Sequence, residues 1–464
     1  MTGYGNSRET GNRRSPLEVA KSVLERGRRL HAELEVYVSY GRTLEIRTFG
    51  GELEAVVRAE PRGVGIRALA GGRMGYAFTA DLSSLGLDRA IAEAGEVLKA
   101  ADVDPFAGLP DLPERPYPVL AGLWSPEVGA TGIESKVRMA LQAEAAALAV
   151  PGVETVEASV YFDEEERVAL VSSRGVEAEA EQSFCLVYTW AHAGEGADRQ
   201  SGVGFTAGRT PAALDPEGAG REAAEKARAL VGGHPCPTGT YAVLFAREVF
   251  AALLARIAPA LSADAVQKGR SVFAGKIGER LASACFSLRD DGLAVEGPAA
   301  GPFDGEGVPR QVTSLFERGV LCSYLYDTRA ARRAGSGCRS TGNAARSGYR
   351  ATPTIAASNL VVEAGRGDLA ALVRRVGEGI YVESVIGLHS GINPVSGEIS
   401  VGVAGRMISG GELGRPVREV TLATDFQRLL GSICEVGGDA RWVPLYGSVC
   451  TPSVAVESVV VSGR

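Results

Sequence analysis

Histidine is scarce in this chain: four residues in 464, at His31, His192, His234 and His389. That bears on catalysis, because a catalytic zinc normally takes three protein side chains and leaves one position for water. The seven cysteines (Cys185, Cys236, Cys285, Cys322, Cys338, Cys434 and Cys450) contain no C-x-x-C pair. An odd, dispersed set fits reduced thiols better than a disulfide framework, so the cytoplasm is the expected compartment. No apolar run approaches the eighteen or so residues that a membrane span needs. The start, MTGYGNSRETGNRRS, has no hydrophobic stretch of the kind a secretory signal carries, and residues 1–14 read as a disordered leader. Long basic stripes are missing as well. Arg13–Arg14 and Arg332–Arg333 are local pairs in a chain of net charge -7, which argues against nucleic acid as the main ligand.

Several catalytic signatures are also absent. There is no G-x-S-x-G elbow, no phosphate-binding G-x-x-x-x-G-K-[ST] loop, and no His-Asp pair near a serine along the chain. Gly63-Val-Gly-Ile-Arg lacks the strand-to-helix setting of a dinucleotide site and reads as a strand.

What is present is a globular composition, 45% hydrophobic and 23% charged, with 60 glycines that imply many turns. The length points to two or three domains. Ser15-Pro-Leu-Glu18 is a capping box that opens a helix over 15–30. Short alternating runs then follow at 34–40, 43–49, 52–57 and 63–69, separated by Gly-Arg and Gly-Gly turns, as in a meander of antiparallel strands. Helical spacing returns at 87–101, so 15–103 forms an N-terminal α+β domain, and the Pro- and Gly-rich stretch 104–128 is a linker.

A middle α+β domain, 129–231, contains an Ala-rich helix at 133–148, strands near 153–162, 167–171 and 184–190, and a helix at 217–230. Asp163-Glu-Glu-Glu-Arg167 reads as a solvated hairpin tip. From 240 to 464 the chain is Gly-rich and strand-rich. It begins with a helix whose Phe250, Leu253, Leu254, Ile257 and Leu261 share one face, and a second helix is expected at 368–378. Asp290-Asp-Gly292 has turn chemistry. The class is α+β: N-terminal units with antiparallel sheets, then a large β-rich C-terminal domain.

Several segments carry a likeness in order along the chain. They are Gly72-Arg-Met-Gly-Tyr-Ala, Asp104-Pro-Phe-Ala-Gly-Leu-Pro, Ala260-Leu-Ser-Ala-Asp-Ala-Val-Gln-Lys, Pro302-Phe-Asp-Gly-Glu-Gly, Ser340-Thr-Gly-Asn-Ala, Gly387-Leu-His-Ser-Gly-Ile-Asn-Pro and Val436-Gly-Gly-Asp. By these the chain resembles the TldD/PmbA family over nearly everything after residue 15. The resemblance implies a cytoplasmic metallopeptidase of two similar subunits that enclose unfolded peptides. One subunit carries a His-Glu-x-x-x-His helix and a later Cys as zinc ligands; the other, TldE or PmbA, lacks them.

Within that resemblance the helix expected to hold the ligands is Ala246-Arg-Glu-Val-Phe-Ala-Ala-Leu-Leu-Ala-Arg256, and no histidine lies between His234 and His389. Arginine has no lone pair to offer a metal. Glu248 without a metal-bound water reads as a solvated helix charge, Cys450 as a small hydrophobe where the family's thiol would fall, and Cys434 as core. No metal ligand and no catalytic residue is therefore assigned to this chain, no cofactor is expected in it, and zinc is expected in a TldD-like partner. Ser340, Thr341, Gly342, Asn343, His389 and Asn393 are the candidate peptide-binding residues: small polar groups in Gly-rich loops that permit close approach of a strand-like peptide. Asp327 and Arg329 are read as a local ion pair. The reading that results is a non-catalytic subunit in a heterodimer with a TldD-like paralogue. Its alternatives are a homodimeric peptide-binding module without enzymatic role, and an atypical metallopeptidase using Glu248 and Cys450.

Overall fold

A computed structural model describes residues 14–464; the leader expected at 1–14 lies outside the described residues except for Arg14. The first half runs α1 (Pro16–Gly27), β1 (Glu33–Phe49), β2 (Glu52–Ala59), β3 (Arg62–Ala70), β4 (Arg73–Thr79) and α2 (Ser84–Ala100). It continues with α3 (Glu127–Ala130), α4 (Ile133–Leu148), β5 (Val153–Ser172), β6 (Glu177–Ala193), β7 (Gln200–Gly208) and α5 (Pro216–Ala229). The capping box forms: Ser15 Oγ accepts the Glu18 N–H and the Glu18 carboxylate accepts the Ser15 N–H at 2.8 Å.

These elements share one antiparallel sheet of order β4-β3-β1-β5-β6-β7, with β2 paired to β1. Residues 41–42 make no turn. β1 runs straight through them because β5 pairs with it from Glu35 to Thr48, leaving no break in the ladder. The same continuity overturns the hairpin-tip reading of 163–167, which lie mid-strand in β5. Side chains alternate in direction along a strand. Val36, Val38, Leu44 and Ile46 of β1 pack under the helices, whereas Tyr37 meets the C-terminal half through Phe303 and Tyr349. Asp163 on the helix side is fully buried against Lys136, and Glu165 pairs with Arg42 at 3.0 Å.

The second half begins with β8 (Gly239–Phe245), α6 (Arg247–Ile257), α7 (Ala263–Gln267), β9 (Leu288–Asp291), β10 (Val312–Glu317), β11 (Val320–Leu321) and α8 (Thr328–Ala334). Next come β12 (Ala344–Ala345), β13 (Thr354–Ile355), β14 (Leu360–Val362), α9 (Leu369–Val376), β15 (Gly379–Ile386), β16 (Glu398–Ser409) and β17 (Glu412–Asp425). It ends with α10 (Phe426–Gly431), β18 (Ile433–Val436), β19 (Arg441–Val443), β20 (Val449–Thr451) and β21 (Val454–Ser462).

One sheet runs β17-β16-β15-β8-β21-β18, and a further β17–β21 pairing closes five of its strands into a small barrel, which removes free edges. A second sheet, β11-β10-β9-β14-β20-β19, lies beside α6. Asp290 and Asp291 sit in its strand β9 rather than in a turn, because the ladder to β10 and β14 passes through both positions or their neighbour. Cys434 is exposed, not core, since β18 turns that position outward.

The two halves meet over the inner face of the first sheet. A Cβ on Gly63 would stand 2.3 Å from the Tyr349 ring, so glycine at that strand position lets the aromatic seat on the backbone. Beside it, Arg67 reaches Glu35 at 2.6 Å and Glu306 at 2.9 Å, all three buried.

Candidate functional site

Strand β8 delivers the chain directly into α6, the helix to which the resemblance assigned the ligands. Its first side chain, Arg247, donates from Nη1 to the Asp439 carbonyl at 3.1 Å. Asp439 is itself fixed by accepting the Ser453 N–H and hydroxyl at 2.9 and 2.8 Å, which gives Val436-Gly-Gly-Asp a structural task. Glu248 is not a solvated charge. Its side chain is 13% exposed, with Lys226 at 3.2 Å and Arg441 at 3.8 Å. Glu222 completes the cluster by bonding both cations, and Arg441 lies 4.0 Å over the Phe205 ring. Burial pushes the Glu248 carboxyl upward most strongly, but Lys226, the helix-start N–H and Arg247 together outweigh it and hold the group below the usual glutamate range.

In the His-Glu-x-x-x-His register that aligns Glu248 with the motif's glutamate, the two histidine places hold Arg247 and the buried Ala252. Neither side chain can ligate zinc. Cys450 on β20 is half-buried opposite Val361 and Trp442, and burial raises its thiol. Among the described residues no three His, Cys, Asp or Glu side chains converge at metal-holding separation. The donor set here does not fit a zinc ion.

The Ser340–Asn343 loop is drawn into a buried polar cluster. Ser340 Oγ donates to the Tyr326 carbonyl at 3.1 Å, and Thr341 Oγ1 donates to Asn343 Oδ1 at 2.6 Å. Asn343 Nδ2 donates in turn to Asp290 Oδ2 at 2.6 Å, and Ser358 donates to the same carboxylate through its N–H and hydroxyl. Gly342 has φ +75° and lies against the Pro309–Arg310 backbone, so a Cβ would meet the Pro309 carbonyl at 2.8 Å. His389 and Asn393 are elsewhere, on the exposed β15–β16 connection. His389 Nδ1 accepts from Arg256 at the end of α6, and Asn393 Oδ1 accepts the Val395 and Ser396 N–H groups in a turn. The six candidates thus form one cluster of four, buried except for the half-buried Ser340, and one surface loop of two. Asp327 does not pair with Arg329. It caps α8 by accepting the Ala330 N–H, while Arg329 reaches across to Asp104.

Between this loop cluster and the first sheet lies a cavity of about 260 Å3, lined among others by Tyr37, Glu166, Phe303, Asp304, Arg310 and Asn343. Asp304 accepts the N–H groups of Glu306, Val308 and Ala344, yet burial and the neighbouring Glu306 push it up to about 7. Burial raises Glu166 too, against the bond it accepts from Gln182. Tyr37, Glu166, Asp304 and Arg310 were not anticipated as site residues. Asp304 sits inside a family-like segment, Pro302-Phe-Asp-Gly-Glu-Gly, and that was the one available signal.

The fold also assembles a Ser–His–Glu line that is not visible along the chain. Ser201 Oγ lies 2.9 Å from His192 Nδ1, and His192 Nε2 lies 2.9 Å from Glu157. His192 and Ser201 are direct cross-strand partners on β6 and β7, and Ser201 and Glu157 are open to solvent. The line is the side-chain ladder of an exposed sheet face.

Residues 34–98, 126–231 and 238–463 match, in order, domain 1, the central domain and the C-terminal domain of the PmbA/TldA metallopeptidases. The chain is 25% identical to the metalloprotease PmbA of Escherichia coli O157:H7 over 461 residues, 95% of this chain and 98% of that protein. A metalloprotease of Methanothermobacter thermautotrophicus is 28% identical over 88% of each chain. A Thermotoga maritima crystal structure, described as a candidate modulator of a DNA gyrase, superposes with a TM-score of 0.88 at 27% identity, covering 96% of this chain and 99% of that one. TldE from Thermococcus kodakarensis shares the fold, with a TM-score of 0.85 at 23% identity over 96% and 100% of the two chains. The three matched domains span nearly all of the described chain, and the chain belongs to the PmbA/TldD metallopeptidase family.

Proposed function

We propose that this chain is the subunit of a two-subunit, TldD/TldE-type metallopeptidase that holds no metal and helps enclose unfolded peptides for cleavage or maturation. The observation that carries the reading is the start of α6. Arg247 and Ala252 stand where the motif asks for histidines, and Glu248 is held between Lys226 and Arg441. A zinc-activated water needs three donors and an open position, so the hydrolytic metal belongs to a TldD-like paralogue. The chain's share is the peptide-holding wall, with Asn343 lining the cavity, Ser340, Thr341 and Gly342 on the loop leading to it, and His389 and Asn393 on the loop past the end of α6. Work in the cytoplasm accords with the unpaired cysteines, and among the described residues no helix is long and apolar enough to cross a membrane.

Metal analysis and cleavage of an unfolded peptide, on the purified chain alone and mixed with a ligand-bearing paralogue, test the reading. Cleavage only in the mixture, with zinc retained by the paralogue, is expected. Stoichiometric zinc and cleavage by the chain alone would refute it.

A further inference from the structure

The cavity beneath Asn343 contains two donors that the protein leaves without acceptors. Arg310 donates from Nε to the Phe303 carbonyl at 3.1 Å, but its Nη groups bond nothing among the described residues, and no carboxylate there comes within ion-pair distance. Tyr37 is 7% exposed, yet its hydroxyl makes no hydrogen bond among the described residues. Arg346, stacked 4.9 Å over the Tyr37 ring, is already committed to Glu35. The buried phenol and the half-buried guanidinium both line the cavity, so their free donors are available to an occupant rather than to the protein.

The geometry points to a carboxylate-binding subsite in this cavity, in which the Arg310 fork and the Tyr37 hydroxyl hold the carboxylate of a small acid or of a short peptide's C terminus. A guanidinium edge matches the two oxygens of a planar carboxylate, and the phenol supplies a third donor. The remaining charge selects a monoanion. Glu166 and Asp304 share the lining, Asp304 is saturated by three backbone N–H groups, and the other lining cation, Arg346, is paired with Glu35, so the second charge of a phosphate would face carboxylates with no uncommitted cation. Volume limits the occupant. About 260 Å3 equals roughly eight or nine waters at ~30 Å3 each, room for a terminal residue and part of its neighbour. Apolar walls from Leu123, Val168, Pro302 and Phe303 suit a side chain. This deepens the peptide-holding part of the proposed function. The two fail separately, because binding here is measured on the isolated chain without metal or paralogue.

Calorimetric titration of the full chain with trialanine, trialanine amide and N-acetylglycine tests it. The free acid is expected to bind at least about tenfold more tightly than the amide, a difference of about 1.4 kcal/mol. Tyr37→Phe removes a hydroxyl that bonds nothing in the protein. It should weaken binding about tenfold at unchanged melting temperature, and Arg310→Lys should weaken it further by losing the fork. Tight N-acetylglycine with weak trialanine assigns the site to a small acid, and the reverse assigns it to a peptide end. Equal binding of acid and amide, no binding of any probe at about 10 mM, or indifference to both substitutions overturns the proposal.

Discussion

Arg67 and Glu306 lie 239 residues apart and meet at 2.9 Å, each under a tenth exposed, where the first sheet faces the C-terminal half. Glu306 also accepts the Thr328 N–H at 3.0 Å, so one carboxylate ties a strand of the first half to the start of α8. Removing a single partner of a buried pair leaves the other charge uncompensated. Glu306→Ala should therefore cost about 3–5 kcal/mol, whereas exposed surface pairs contribute about 1 kcal/mol or less. Urea denaturation of the variant beside Lys99→Ala, a control on the exposed Glu96 pair, gives the comparison. Equal small losses would mean the junction is not held by this charge.

Lys136 and Asp163 make the same point inside the first half, where both side chains are essentially inaccessible. Lys136 also donates to the Val128 carbonyl at 2.7 Å, which anchors α3. Lys136→Met should destabilise the protein by about 3–5 kcal/mol, and adding Asp163→Leu should recover most of the loss. Chemical denaturation of the single and double variants checks it. A solvated tip at 163–167 would instead keep the single variant within about 0.5 kcal/mol of the parent.

These carboxylates show where the sequence stops being readable. Local chemistry was enough for the Ser15 capping box, for the Ala-rich α4 and for the apolar stripe of α6, because each is decided by residues within four positions. A run of Asp, three Glu and Arg looks like a tip until its partners are known, and those lie 27 residues away at Lys136 and 123 away at Arg42. Residues 41–42 looked like a turn because the strand that carries the ladder across them, β5, arrives more than a hundred residues later. The cavity fails to show for the same reason. Tyr37, Glu166 and Arg310 come from three separated strands and loops, and although Asp304 and Asn343 lay in family-like segments, nothing local brings those segments together.

Asp327 gives a test in pH. Burial first, then the nearby Glu306, push its folded-state value up to about 6, from 3.8 in the absence of such neighbours. Between about pH 4 and 6 the folded state therefore holds more protons than the unfolded one, and stability falls as pH rises through that window. Asparagine caps a helix nearly as well and does not ionise. Asp327→Asn should match the parent near pH 4 and exceed it by on the order of 1–2 kcal/mol above pH 7, after discounting for partial exposure. Urea midpoints at pH 4 and 7.5 decide it. A variant that loses ground as pH rises would put the native value below the unfolded one.

A glycine supplies a steric test of the junction. Gly63→Ala places a methyl 2.3 Å from the Tyr349 ring, and that side chain is buried against Phe303 and Tyr37. Overpacking of this kind costs about 1–3 kcal/mol. Adding Tyr349→Leu, which vacates the ring's edge, should make the two changes cost less than their sum. Strict additivity in thermal denaturation would show that the ring does not rest on this strand.

Glu248 separates a subunit without metal from a disguised enzyme. A general base that deprotonates a metal-bound water contributes about 10²–10⁴-fold to the rate, so Glu248→Gln would abolish cleavage by an atypical metallopeptidase. In the arrangement found here the carboxylate balances Lys226 and Arg441 instead. The substitution should cost about 1–2 kcal/mol of stability and leave the rate of a reconstituted pair within about threefold. Cys450→Ala should leave that rate unchanged as well, since Cys450 is a strand residue paired with Val361 and Trp442 and belongs to no metal-holding group among the described residues. Peptide cleavage by the pair, measured with each variant at a temperature where both stay folded, separates the two readings: a rate that collapses in step at Glu248 and Cys450 would place hydrolysis in this chain, whereas a lower melting temperature at constant rate confines Glu248 to the scaffold.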